Sequence, residues 1–222
     1  MAELIEQFWE PDESPDSDCH NIGAVFRAPV NYVDPKLQVL RLTYIDPFHS
    51  KPPMLQLGRA NESTFDHQPV KELRLKNNEA LIAYKAKKRP VLLFSLAPGV
   101  RPHIAGGTQD EGFLSLPMFR LRKHADEFTL SVKAFKYESL FYLPEDGRSG
   151  LEECMVRFDR AQVIHSAHLE RWRPTTKIAP DALLVMQEWF RYYLTGACED
   201  WLLQHQRAEL DKLAEALRPP DA

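Results

Sequence analysis

Apolar residues follow two different rhythms along this chain. From Gly23 to about Val163 they come in short runs closed off by Pro, Gly, Asn and Asp, at 24–33, 37–45, 80–84, 91–95, 112–117, 128–135, 139–143 and 154–158. Runs of this length between turn-forming residues predict strands of an antiparallel barrel or sandwich. Residues Val91 to Ser95 are almost continuously apolar after Pro90, which suits a strand buried on both faces with the proline at its first position. The stretch Glu145 to Gly150 reads as a hairpin loop.

After Pro174 the period becomes helical. Pro180 and Asp181 make a first turn, Leu183, Met186, Phe190 and Leu194 share a stripe, and Gly196 stops the helix. A second helix runs from Glu199 with Leu203, Leu210, Leu213 and Leu217 at helical spacing, ending before Pro219. The fold class is therefore mainly β with C-terminal helices, α+β overall.

Composition changes this picture little. At 222 residues, 44% hydrophobic and 27% charged, the chain can build a sizeable core, and wholesale disorder, collagen-like repeats and a pure coiled coil are excluded. No apolar run approaches the roughly 18 residues of a membrane span, and Met1 to Glu10 lacks a signal-peptide pattern, so a cytoplasmic protein is expected. Cys19, Cys154 and Cys198 are too scattered for a zinc site or a disulfide framework. The histidines show no metal-ligand spacing, and no metal or cofactor is expected.

Charge distribution is more informative than its net value of −4. Residues 1–20 carry seven acids and no Lys or Arg, which predicts a flexible acidic leader able to cover a basic surface in cis. Between Lys85 and Lys136 there are ten bases against four acids, a local charge of +6. Lys85, Lys87 and Lys88, with Arg120, Arg122 and Lys123, are candidates for a phosphate track along one rim of the sheet. Phe113, Phe119 and Phe128 are interleaved with these bases, although alternate aromatics in a barrel are mostly core. The domain reading is a leader at 1–20, a main domain over 21–196 with an insertion at about 33–74, and an additional helix and tail at 197–222.

The order of these signals resembles the MazF/PemK family of toxins. Arg89 to Ser95 is similar to the family's Arg-Pro-x-Leu-Val-Leu-Ser strand. Pro117 to Arg120 corresponds in position to its Pro-Ile-Thr-Ser, and Leu143-Pro144 and Gly150-Leu151 look like its later Leu-Pro and Gly-Leu. The resemblance covers roughly residues 22 to 194. It implies an SH3-like antiparallel barrel, here with an insertion, and a metal-independent endoribonuclease acting on single-stranded RNA. It also implies a homodimer held in check by an antitoxin-like protein partner. In such enzymes the ribose 2′-OH attacks the adjacent phosphorus in line, so the site must orient a hydroxyl, move protons and stabilise phosphoryl charge.

The resemblance makes Arg89 the first catalytic candidate, since a forked, always-charged guanidinium suits a phosphoryl group. Glu79, ten residues ahead, is a candidate base or arginine orienter, and His103 a candidate proton-transfer group. Where the family places a threonine, this chain has Phe119, which can neither donate nor accept a hydrogen bond. Ser115 and Thr108 are the nearby hydroxyls that could compensate. The alternative reading is a catalytically inactive barrel serving as a nucleic-acid or protein binding module through the same basic rim.

Overall fold

The computed structural model describes residues 5–13, 20–32, 37–44, 54–61, 64, 74–76, 79–97 and 112–218. The chain divides into two compact units, 1–29 with 88–222 and 30–87. Among the described residues no helix is long and apolar enough to cross a membrane.

The first unit is built on a seven-stranded sheet. In chain order its strands are β2 (Val25–Tyr32) and β6 (Lys85–Leu96), each with its remainder in the second unit, β7 (Gly112–Arg120), β8 (Leu140–Leu143), β9 (Cys154–Arg157), β10 (Gln162–His165) and β11 (Glu170–Arg171). The paired path is β11-β2-β6-β7-β9-β8, with β10 added on β7, and it is open among the described residues. β9 and β10 run antiparallel to β7 in succession. Met118 faces Val156 and Ser115 faces Gln162, so three steps along β7 are matched by six along its neighbour. The excess is the 3-10 turn Phe158–Arg160, three residues that bulge out and bend the strand.

Two further elements close this unit. β1 (Trp9–Pro11) pairs antiparallel with β12 (Thr176–Ile178), and α2 (Pro180–Thr195) and α3 (Asp200–Ala216) follow. The expected flexible leader is thus corrected over residues 5–13. Ile5 and Trp9 are core residues, Trp9 donates from Nε1 to the Pro144 carbonyl at 2.9 Å, and buried Asp12 pairs with Arg171 at 3.1 Å. Burial of two large apolar side chains outweighs the low β propensity of this acidic, proline-containing segment. Glu10 pairs with Lys177, so Glu10 and Asp12 are engaged inside the fold rather than with the basic window.

The core lies between the sheet and α2. Leu92, Leu116, Phe141, Leu143, Met186 and Trp189 belong to one buried cluster, with Phe94 and Phe190 in an edge contact of 4.9 Å between sheet and helix. The residues of α2 that are buried are Ala182, Val185, Met186 and Trp189, while Leu194 is 62% exposed. The stripe is therefore rotated from the leucine-based expectation, because Trp189 offers more apolar surface than Leu194. Gly196 caps α2 in the left-handed conformation, as its position after the last apolar turn predicts.

The run 128–135 is a helix and not a strand. α1 (Asp126–Lys133) has Asp126 and Glu127 in its first turn and Lys133 in its last, which complements the helix dipole. Val132 and Phe135 are buried while Leu130 is 41% exposed, the reverse of what period-two burial requires. The helix ends in a Schellman motif, Phe135 N–H donating to Val132 O and Lys136 N–H to Ser131 O. Its left-handed position, φ 55°, is filled by Phe135 where glycine is usual. A fully buried ring in the main cluster offsets that backbone cost.

Gly23 at the entry to β2 has φ 88° and bonds to Leu93 O and from Ile178 N. A Cβ there would lie 3.0 Å from Ile178 Cγ2, so Gly23→Ala is expected to cost about 1–3 kcal/mol in chemical denaturation.

The second unit, over 30–87, holds a three-stranded sheet of β3 (Gln38–Tyr44), β4 (Met54–Arg59) and β5 (Leu81–Ala83) in the order β4-β3-β5. β4 falls within the stretch read from sequence only as an insertion. Leu40 faces both Leu57 and Leu81, and Leu42 faces Leu55, so one face of this sheet is leucine-rich.

One polar node ties α1 to the hairpin of β8 and β9. Glu153 receives a hydrogen bond from the Tyr142 hydroxyl at 2.7 Å and pairs with Lys133 at 2.8 Å. The Lys133 bond holds the Glu153 carboxyl below its ordinary value of 4.5 despite partial burial, and burial together with Glu153 raises the Tyr142 phenol above its ordinary 10.0. A depressed carboxyl contributes stability above its unfolded value and loses it as pH falls. A raised phenol contributes below its unfolded value and loses it as pH rises. Urea midpoints measured across pH are expected to be flat between about 5 and 9 and to fall on both sides, with Tyr142→Phe reducing the alkaline fall but not removing it, because burial also raises the Cys154 thiol.

Candidate nucleic-acid interface

Strand pairing explains which side chains meet. Val91 of β6 faces Pro117 of β7, so continuing the ladder by two residues brings Arg89 opposite Phe119. On the other edge Phe119 faces Met155, and Arg157 lies two residues further along the same face of β9. One aromatic ring on a central strand is therefore flanked by an arginine from each neighbouring strand. The Arg89 guanidinium carbon stands 4.5 Å from the Phe119 ring centroid and that of Arg157 stands 5.5 Å away.

Arg157 is held in turn by Asp159, from Nε at 3.0 Å and Nη2 at 2.5 Å. Arg160 Nε lies 3.7 Å from the same carboxylate. The Arg157 bond keeps Asp159 ionised below its ordinary range, in spite of partial burial. Arg157 and Arg160 thus share the one Asp159 carboxylate, and guanidiniums of this kind suit a phosphodiester.

The other expected site residues scatter. Ser115 is fully buried on β7, and its hydroxyl donates to the Phe113 carbonyl at 3.2 Å, so it is oriented away from any substrate. Arg120 and Arg122 are exposed and share Glu152 Oε2 at 3.3 and 3.1 Å. Lys123 is exposed just beyond β7, and Lys88 is paired with Glu170 of β11. Lys85 and Lys87 are exposed on the part of β6 that belongs to the second unit. Glu79 also belongs to that unit, where its Oε2 accepts from Lys76 N at 2.8 Å and closes a local turn. His103 and Thr108 lie outside the described residues.

Pro90 is interior to β6 rather than its first residue, but it precedes Val91, the first residue paired with β7, so it removes no bond from that ladder. Arg157 and Asp159 were not singled out from sequence. The available signal was a base in an otherwise apolar strand, followed at once by Phe-Asp-Arg; the bend that aims it is invisible in the composition. Cys154 beside them is buried, and burial pushes its thiol up to about 12, which makes it inert as a nucleophile.

Comparison of the chain with protein-family models, with curated proteins and with solved structures gave no match.

Proposed function

We propose that this protein is a MazF/PemK-like endoribonuclease that cuts single-stranded RNA without metal, on a divergent SH3-like barrel. The observation that carries this reading is the meeting of Arg89 and Phe119. The resemblance assigns these two positions, thirty residues apart, to the scissile phosphate, and their side chains lie 4.5 Å apart across adjoining strands. The bend of β9 and β10 around β7 at the turn Phe158–Arg160 supports the barrel-like curvature.

In this reading Arg89 and Arg157 clamp the phosphodiester as the 2′-oxygen attacks phosphorus and the 5′-oxygen leaves. The Asp159 carboxylate, held beside the clamp by Arg157, accepts the 2′-OH proton, and solvent water protonates the departing 5′-oxygen. The homodimer and the antitoxin-like partner follow from the same resemblance, with a cytoplasmic site of action. A second reading, a binding module without cleavage, is favoured by one observation: Phe119 carries no hydroxyl and buried Ser115 cannot replace it.

The deciding experiment incubates the purified chain with a long single-stranded RNA in EDTA, followed by end-group analysis. Fragments with 2′,3′-cyclic or 3′-phosphate ends are expected. Intact RNA bound with a salt-dependent affinity would establish the binding module instead.

A further inference from the structure

The sheet of the second unit is closed at Val39 on one face and open on the other. By register Val39 lies beside Gly58 and Ile82, and it is buried. The opposite face carries Leu40 and Leu42 of β3, Leu55 and Leu57 of β4 and Leu81 of β5. There Leu57 is 54% and Leu55 42% exposed, so this face is not closed by a core. Of the twelve large apolar side chains exposed among the described residues, five (Tyr44, Met54, Leu55, Leu57 and Tyr84) fall in this unit, although it spans only 30–87; the exposure is concentrated rather than scattered. Tyr44 ends β3, and Tyr84 follows β5 at the opposite end of the sheet, since Ala83 pairs with Gln38. Charge is partitioned too. Residues 30–87 carry nine Lys or Arg against six Asp or Glu, a net +3, whereas the rest of the chain carries nineteen against twenty-six, a net −7.

We infer that the leucine face of the second unit docks on an anionic lipid surface, with Leu55 and Leu57 entering the head-group boundary and the bases of the unit meeting lipid phosphates; this does not depend on the RNA reading. Charge complementarity favours it, because the one basic unit of an otherwise acidic chain is the unit with the open apolar face. By register Arg59 follows Leu55 and Leu57 on the same face, where its stem can lie along the apolar surface while the guanidinium stays at the phosphates. Tyrosines at both ends of the sheet suit the same boundary, since one end of the ring is apolar and the other wet. A second copy of the chain fits poorly. A face three strands wide and six residues long measures about 14 Å by 20 Å, well short of the roughly 800 Å² per partner of a stable interface, and pairing two such units sets +3 against +3. No polar side chain stands between the five leucines, so the face offers no hydrogen bond by which a folded partner is recognised, whereas a bilayer asks for none.

The test is co-sedimentation of the full chain with phosphatidylcholine vesicles and with vesicles in which about one third of the lipid is phosphatidylserine, at low salt. Wild type is expected to sediment with the anionic vesicles and not with the neutral ones. Replacing both exposed leucines, Leu55→Gln with Leu57→Gln, should weaken that binding about tenfold or more, and Arg59→Gln by about 2- to 5-fold. Leu57→Trp gives an independent readout should the double variant fail to fold. All four native tryptophans lie outside 30–87, so brominated acyl chains should quench the emission of this variant more than that of wild type. Absence of wild-type binding to anionic vesicles, equal binding to both vesicle types, unchanged binding by the folded double variant, or quenching no greater than in wild type overturns the inference. So does a wild-type dimer in analytical ultracentrifugation that the double variant dissociates, which assigns the face to a second copy. Cleavage or binding of RNA is untouched by any of these outcomes.

Discussion

Arg89→Ala is expected to lower metal-free cleavage of single-stranded RNA by about 10²- to 10³-fold, the usual effect of deleting one preorganised donor to developing phosphoryl or acyl charge. The fold should survive. The side chain is half-buried just before the β6 to β7 ladder, and its contact with the Phe119 ring contributes about 0.5–1 kcal/mol to stability. Single-turnover rates at saturating protein separate chemistry from affinity. A fall in the rate constant with affinity within a few-fold supports a catalytic arginine. A purely binding arginine would shift the saturation curve and leave the plateau rate alone. Arg89→Lys should recover only part of the loss, because a point charge cannot reproduce the fork.

Trp189→Ala is expected to be the most damaging substitution to the fold, at about 3–5 kcal/mol. Trp189 is completely buried, its indole donates to the Leu140 carbonyl at 3.1 Å, and it meets Phe135 edge-on and Tyr192 in a stack, both at 5.0 Å. Truncation opens a cavity where α2 meets the β8 strand and strips a buried carbonyl of its donor. Thermal unfolding followed by far-UV circular dichroism should shift down by about 10 °C or more. Trp189→Phe fills most of the volume without the N–H and should fall between the two. A shift below about 3 °C for Trp189→Ala would mean that this packing is not the keystone of the core.

Legibility in the sequence differed by element for identifiable reasons. The bounds of α2 and α3 follow from local chemistry: proline at the first helical position, a left-handed glycine cap, and prolines beyond the last turn. The residues of β6, β7, β8 and β9 could be read as strands because each is a short apolar run between breakers. α1 was misread because Phe128, Leu130 and Val132 mimic a period of two, and because Phe135 sits where a helix stop would normally show glycine. β1 is three residues including a proline, and only its pairing with β12, some 165 residues away in the chain, makes it a strand.

The candidate site was half legible. Arg89 stood out through its resemblance to an Arg-Pro strand motif, and Phe119 as a departure from the matching pattern. Nothing local to Arg157 or Asp159 marks them, because their place beside Phe119 depends on the register of β9 on β7 and on the three-residue bulge after it. Glu79 is near Arg89 in sequence, yet it belongs to a different compact unit and serves its own turn.

By itself the sequence determined the class of the fold, the ends of its C-terminal helices and the location of its basic segment, all properties written in spacing, caps and charge over a few neighbouring residues. Only the tertiary structure decided which face of α2 is buried, that residues 5–13 belong to the core, and that Arg89, Phe119 and Arg157 meet at one point. Those outcomes depend on long-range register and on competition for buried area, and neither is encoded in any local window of the chain.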